Sequence, residues 1–443
     1  MIRREFTAVS RKATVFNRPF SHSAFRRLEH LPTTSSPIVS KLSFFNSVTG
    51  NDTQIPTFRI LDGVGKPLEG AVLPDIDEPF ARRLYENMML LPTLDNVLYN
   101  VQRQGKISFY MTAYGEEATI VGSAAALALD DEIQGQYREL GVLLWRGFSL
   151  DKVMAQCFGN EEDTSGKGRQ MPVHFGSPEH HFHTISSPLA TQIPQAAGVA
   201  YALRRTPDRR SRSVAACFFG EGAASEGDFH AGLMLASTIP SPVVFIARNN
   251  GFAISTPSAE QYYGDGIASR GPGYGIDTVR VDGNDILAVI TAVKEARRRC
   301  LEQGRAVLVE AMTYRVGHHS TSDDSFAYRA RAEVEDRKRI DNPITRFQLF
   351  MESRGWWNAD DEAELRARLK ADVMKAFRRT DSLTRCELGE LFTDVYGGQE
   401  PWNLMEQRDE LTGLLRKYGD IWEPWRNELA KFKNKGQDLT KPS

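Results

Sequence analysis

Three sets of residues in this chain have the types and spacing to do chemistry. The first is Glu221, held between Gly220 and Gly222, with Asn250 about 30 residues further on; carboxylate and amide oxygens are the hard donors that Mg²⁺ prefers. Mg²⁺ takes few protein ligands and completes its octahedron with water and substrate phosphates. The flanking glycines let the backbone turn sharply and approach a phosphate closely. The second set is Gln136-Tyr137-Arg138-Glu139, where a guanidinium fork suits phosphate oxygens through paired, charge-assisted bonds. The third is His319 in Tyr314-Arg315-Val316-Gly317-His318-His319-Ser320-Thr321-Ser322-Asp323-Asp324. An imidazole can donate or accept a proton near neutral pH. On residue type alone, an ion pair of Arg138 with Glu139 or Glu132 and a structural role for His319 are the readier assignments.

The elements that must position these groups follow from apolar periodicity. Val214 to Phe219 ends in Gly220-Glu221-Gly222, and Val243 to Ala247 ends in Arg248-Asn249-Asn250, with a helical stretch between. Short β-rich runs separated by a helix predict a βαβ unit with parallel strands. Both polar tips then lie at carboxyl ends of neighbouring strands, where open α/β sheets bind ligands. Further short strands are expected at Ile133 to Tyr137, Thr278 to Val281 and Ala306 to Ala311. Helices are expected at Phe80 to Gln104, with Pro92 kinking or restarting it, and after Gly115-Glu116-Glu117-Ala118 through Leu129. Others cover Pro194 to Arg205 and Asp285 to Gln303, the latter with Arg297, Arg298 and Arg299 on a solvent face. From Ala332 the chain is helical and charged, with a last helix from Trp425 to Phe432.

The 443 residues permit a sizeable core, and 41% hydrophobic and 25% charged residues are ordinary for a globular protein. A net charge of −2 makes no case for nucleic acid or an anionic membrane, and no apolar run reaches membrane-spanning length. Cys157, Cys217, Cys300 and Cys386 are widely spaced, which suits reduced, buried thiols. The first forty residues carry Arg3, Arg4, Arg11, Lys12, Arg18, Arg26 and Arg27 against Glu5 and Glu29, the composition of a mitochondrial transit peptide. Gly166-Lys167-Gly168-Arg169-Gln170 lacks the spacing of a phosphate-binding P-loop. His174, His180, His181 and His183 lack zinc-ligand spacing and read as a loop near the active site.

Gly-acid-Gly followed by Asn is the thiamine diphosphate motif, and its settings GEGAASEGD and RNNGFAIST, with the paired histidines before STSDD, resemble the E1 α family of branched-chain 2-oxoacid dehydrogenases. The resemblance covers roughly residues 55 to 430. It implies an α/β, ThDP-binding fold: a doubly wound, mostly parallel sheet flanked by helices, with an extended N-terminal segment and a helical C-terminal region. The expected divisions are 1–50, transit peptide and arm; 51–85, extended segment; 86–335, cofactor domain; and 336–443, helical region. The resemblance implies thiamine diphosphate held by Tyr137, Arg138, Ser187, Leu189, Gly222, Ala223, Arg248 and His319, with His319 also catalytic. It implies Mg²⁺ on Glu221, Asn250 and the Phe252 carbonyl, and structural K⁺ at Ser186, Pro188, Thr191 and Gln192, a segment equally readable as a plain helix cap. Ser320 matches a phosphorylated serine of animal relatives, whereas the second such position is Ala330.

The implied activity is oxidative decarboxylation of branched-chain 2-oxo acids and acylation of a lipoyl group, in the mitochondrial matrix. The implied partners are an E1 β subunit in an α₂β₂ heterotetramer, a lipoyl-bearing E2 core, and a regulatory kinase and phosphatase. The segment from Thr57 to Pro79 would drape over the partner subunit. A pyruvate-type E1 α subunit and a non-catalytic regulatory subunit of the same fold are the alternatives; paired His before STSDD disfavours the former, and intact Glu221, Asn250, Arg138 and His319 the latter.

Overall fold

The computed structural model describes residues 36–44, 54–394, 396–418, 421 and 429–430. The basic leader and nearly all of the helix expected from Trp425 to Phe432 lie outside the described residues.

One parallel sheet organises the chain. Its strands are β1 (Ile38–Val39), β2 (Thr57–Phe58), β3 (Glu132–Gln134), β4 (Phe182–His183), β5 (Ala215–Gly220) and β6 (Val243–Asn249). A small antiparallel pair follows, β7 (Phe252–Ala253) with β8 (Thr256–Pro257), and β9 (Asp277–Asp282) and β10 (Val307–Met312) complete the sheet. The spatial order is β1-β2-β9-β10-β6-β5-β3-β4. The predicted βαβ unit is present: β5 pairs parallel with β6, Ala215 opposite Val243, and the helix Gly227–Thr238 connects them.

Alternation explains why these strands read as unbroken apolar runs. Ala216 and Phe218 of β5, with Val244 and Ile246 of β6, enter one hydrophobic cluster. Ala215, Cys217 and Phe219, with Val243, Phe245 and Ala247, enter a second cluster on the opposite face. Side chains two residues apart share a face, so a parallel sheet covered on both sides needs apolar residues at every position. Helices Glu78–Arg103, Glu117–Ala126 and Ile286–Gln303 cover the first face; Gln192–Arg205 and Gly227–Thr238 cover the second.

Several local expectations change. The helix Glu78–Arg103 continues through Pro92, and the neighbouring Thr93 hydroxyl donates to the Met89 carbonyl. Thr57–Phe58 joins the chain's own sheet beside β9, and Ile60 and Leu61 are buried, their amides donating to the Asp285 carboxylate. Arg297 and Arg299 are not simply solvated: Arg297 pairs with buried Asp131, and Arg299 with Asp277. The helix predicted from Pro194 begins at Gln192, leaving Pro194 in the first turn, where its missing amide costs no hydrogen bond. Farther on, Asn342 caps Pro343–Ser353, and Asn358 caps Ala359–Asp381, which buries Leu365, Leu369, Val373 and Ala376. Cys157, Cys217 and Cys300 are buried, Cys386 is partly so, and all four are free thiols.

Candidate active site

The carboxyl ends of four adjacent strands deliver the candidate residues. β3 leads into Gln136–Glu139, β5 into Gly220–Ala223, β6 into Arg248–Asn250, and β10 into Thr313–His319. Gln136 ties two of these tips together, its side-chain carbonyl accepting the Gly220 amide at 2.9 Å.

Glu221 is 2% exposed and accepts the Asn250 backbone amide at 3.2 Å. Burial pushes its carboxyl up to about 7, because no ion pair to it exists among the described residues to offset lost hydration. The Asn250 side-chain oxygen accepts the Phe252 amide at 3.3 Å, which brings Phe252 to the same turn. The Phe252 carbonyl lies 3.5 Å from an Arg315 guanidinium nitrogen. A buried, uncompensated carboxylate beside an amide oxygen and a backbone carbonyl is a donor set that fits a divalent cation. Gly222 begins the turn that follows, and a Cβ there would sit 3.1 Å from that of Ala253. Ala223 is buried behind it.

Two buried arginines stand at the neighbouring strand ends. Arg138 is buried; it donates to the Thr112 carbonyl and, at 2.7 Å, to the His319 carbonyl. Burial lowers its pKa. The Tyr137 ring lies edge-on to His319, with centroids 5.8 Å apart. Arg248 is also buried and is engaged by the carboxylates of Glu116 and Glu139.

His319 takes its character from these arginines. Its Nδ1 lies 3.2 Å from Arg138 and 3.2 Å from Arg315. A guanidinium only donates, so Nδ1 is an acceptor and the ring proton resides on Nε2. Burial, followed by repulsion from Arg138 and Arg315, drives the imidazolium pKa down to about 3. The ring is therefore neutral at physiological pH and carries one donor. Asp323 fixes its backbone: the His319 amide donates to that carboxylate at 2.7 Å, as does the Tyr328 hydroxyl.

The other expected residues form separate neighbourhoods. The Ser187 hydroxyl lies 2.6 Å from His174 Nε2, and Leu189 is 40% exposed. The Thr191 hydroxyl donates to the Pro188 carbonyl at 3.2 Å, while the Gln192 amide donates to the Phe218 carbonyl at 3.0 Å; Ser186 is half-buried. No hydrogen bond or ion pair among the described residues joins this segment to His319 or Arg138. Ser320 is only 8% exposed and accepts the Ser322 amide. The histidine-rich loop divides its partners: His180 meets Ser177, and His181 and His183 meet Glu132. Among the described residues no cluster could hold a metal through His, Cys, Asp and Glu alone. The charges of Lys167 are met by Glu390 and Asp394.

Residue-type reasoning did not single out Glu116, Glu139, Arg315 or Asp323 for roles in the site. Glu116 and Glu117 stand at a helix start, where acidic residues are common because they suit the helix dipole. That ordinary explanation conceals a carboxylate buried at the centre of the site.

Residues 85–387 match the dehydrogenase E1 component family. The mitochondrial 2-oxoisovalerate dehydrogenase subunit alpha of Homo sapiens is 51% identical over 391 residues, covering 88% of this chain and 86% of that protein. The protein of the same name from Caenorhabditis elegans is 48% identical over 417 residues, covering 94% and 95%. That from Dictyostelium discoideum is 50% identical over 372 residues, covering 83% and 82%.

Proposed function

This chain belongs to the dehydrogenase E1 component family, and from that premise we propose how it works as the α subunit of a mitochondrial branched-chain 2-oxoacid dehydrogenase. Such a subunit operates in a complex with a β subunit, and the family implies thiamine diphosphate as cofactor. Bound thiamine diphosphate supplies an electron sink that lets CO₂ leave a 2-oxo acid.

The chain's own residues orient that chemistry. Glu221, Asn250 and the Phe252 carbonyl are assigned to Mg²⁺, which would relieve the uncompensated Glu221 carboxylate. Tyr137, Arg138 and Arg248 are assigned to the diphosphate end, where fixed positive charge favours phosphate oxygens. Gly222 and Ala223 would let the backbone approach it, while Ser187 and Leu189 would line the cofactor and Ser186, Pro188, Thr191 and Gln192 would take K⁺. Neutral His319, with its proton on Nε2, would hold the diphosphate end by donation and would supply a hydrogen-bond donor to negative charge on the substrate and during acyl transfer to lipoamide. The assembly is an α₂β₂ heterotetramer delivering acyl groups to a lipoyl-bearing E2 core. Ser320 is the candidate phosphorylation site for a kinase and phosphatase, and its burial means that the loop must open first.

The observation that carries this reading is charge placement: an unneutralised buried acid lies across the strand ends from a neutral histidine flanked by two arginines. The test is decarboxylation by the chain co-expressed with its β subunit, with thiamine diphosphate and Mg²⁺. Preference for 3-methyl-2-oxobutanoate over pyruvate, with no activity from the α chain alone, is the expected result. Preference for pyruvate, or activity without β, would overturn it.

A further inference from the structure

Of two consecutive glutamates, Glu116 immediately precedes the alanine-rich helix and Glu117 opens it, and both are fully buried. The backbone explains how they reach the interior. Gly115 adopts φ +98°, and a Cβ there would stand 2.4 Å from the Tyr314 carbonyl, so only glycine lets this turn close against the β10 loop. Glu116 consequently points among the ends of the other strands. One of its carboxylate oxygens accepts from Arg248. The other accepts the Asn250 side-chain NH₂ at 3.1 Å and lies 3.9 Å from Arg138 Nε.

We propose that Glu116 is a positioning residue that sets the amide orientation of Asn250, so that the Asn250 side-chain oxygen is presented to Mg²⁺. This rests on the metal assignment made above. An asparagine amide has a donor end and an acceptor end, and a rotation about its last bond exchanges them. An ionised carboxylate can only accept, so Glu116 holds the NH₂ end on its own side. The oxygen end then faces the turn shared with Glu221 and Phe252, where it already accepts the Phe252 amide. With its amide rotated, Asn250 would direct an NH₂ group at a cation, which is repulsive. Arg248 and Arg138 hold the Glu116 carboxylate in place, and through Arg138 the same carboxylate adjoins the group holding His319. Residues that orient metal ligands in this way typically contribute roughly 10- to 100-fold in metal affinity.

The experiment uses the assembled α/β protein and reads Mg²⁺ titrations of thiamine diphosphate binding by calorimetry, with no substrate present. Wild type must show Mg²⁺-dependent binding; if it does not, the metal assignment itself fails. Given that, Glu116→Gln is expected to raise the half-saturating Mg²⁺ concentration tenfold or more. A shift under twofold would overturn the positioning role while leaving the metal assignment intact. The double variant Glu116→Gln/Asn250→Asp reverses the polarity of the hydrogen bond and keeps the total charge. It should recover most of the lost Mg²⁺ affinity, a rescue that a purely structural role does not produce. If Glu116→Gln does not assemble, the double variant decides: assembly with near wild-type Mg²⁺ dependence supports the proposal. Assembly with weak Mg²⁺ dependence, or failure of both variants to assemble, overturns it.

Discussion

Two buried arginine–carboxylate groups lie on one sheet, one within its strands and one at their carboxyl ends, and they differ in how completely their charges are met. Arg280 and Glu310 sit opposite each other in register on β9 and β10. Glu310 accepts from Arg280, from the Asn249 amide and from the backbone amides of Ile267 and Ala268. Arg280 also reaches Asp265 and the Ile55 carbonyl. Gly266, at φ +69°, lets the loop pass so closely that a Cβ would stand 2.6 Å from the guanidinium. Here the favourable form of each group wins: the Glu310 pKa is lowered and that of Arg280 is raised, despite burial. In the site the balance reverses. Glu221 is pushed up to about 7, His319 down to about 3, and the Arg138 pKa is lowered. The first group is complete, whereas in the second, among the described residues, Glu221 forms no ion pair and Arg138 pairs only with Glu116, 3.9 Å away. That division is what distinguishes a structural ion pair from a binding site when both are equally buried.

The largest expected effect comes from breaking the complete pair. Glu310→Ala leaves Arg280 paired with Asp265 alone and strands the buried donors of Asn249, Ile267 and Ala268, and should destabilise the fold by about 3–5 kcal/mol, read by chemical unfolding of the assembled protein. A loss under about 1 kcal/mol would show that the pair is not stabilising in the sense argued. His319→Ala is the contrasting change: unfolding should barely move at pH 7.5, while acyl transfer to lipoamide falls roughly 10²–10⁴-fold. Unchanged transfer would remove His319 from the mechanism.

A smaller effect concerns Glu117, fully buried and, among the described residues, accepting only from nearby backbone amides, with burial raising its carboxyl to about 8. A folded-state value above the ordinary 4.5 means the fold favours the protonated acid, so stability is lost as pH rises from 4.5 through 8. Glu117→Gln should therefore be more stable than wild type at pH 8 by about 1–3 kcal/mol, with the gap closing near pH 5. Thermal melts at the two pH values check this, and a gap independent of pH would contradict it. The smallest effect belongs to His319 itself. Its folded value lies below the ordinary 6.5, so its contribution is intact above 6.5 and is lost as pH falls toward 3. Relative to His319→Gln, wild type should lose thermal stability between pH 7 and pH 5; a constant difference would mean that the imidazole is not held neutral.

Much of this was legible from residue order. Runs such as Val243 to Ala247 mark parallel strands because both of their faces are covered, and the polar tips after them mark the ligand end of the sheet. Glu221 and Asn250 stood out by residue type and spacing, whereas Arg138 and His319 entered as candidates only through the family resemblance. The reading failed where a side chain's partner is remote. Arg297 belongs to a regular basic helix face, and nothing local shows that Asp131, 166 residues earlier, awaits it. Phe58, Ile60 and Leu61 sit in a turn-rich stretch whose local pattern suggests a loop, yet the edge of β9 converts part of it to sheet.

By itself, then, the amino-acid order determined the strand–helix alternation, the glycine turns and the residue types able to hold phosphate and metal. These depend on interactions within a few residues. Only the tertiary structure decided that Glu116 meets Asn250 across 134 residues, and that Arg138 meets His319 across 181. Only it decided which carboxylate is neutralised and which is left waiting. Protonation and amide orientation depend on what surrounds a group in space and how much water it has lost, and neither is encoded in its immediate neighbours.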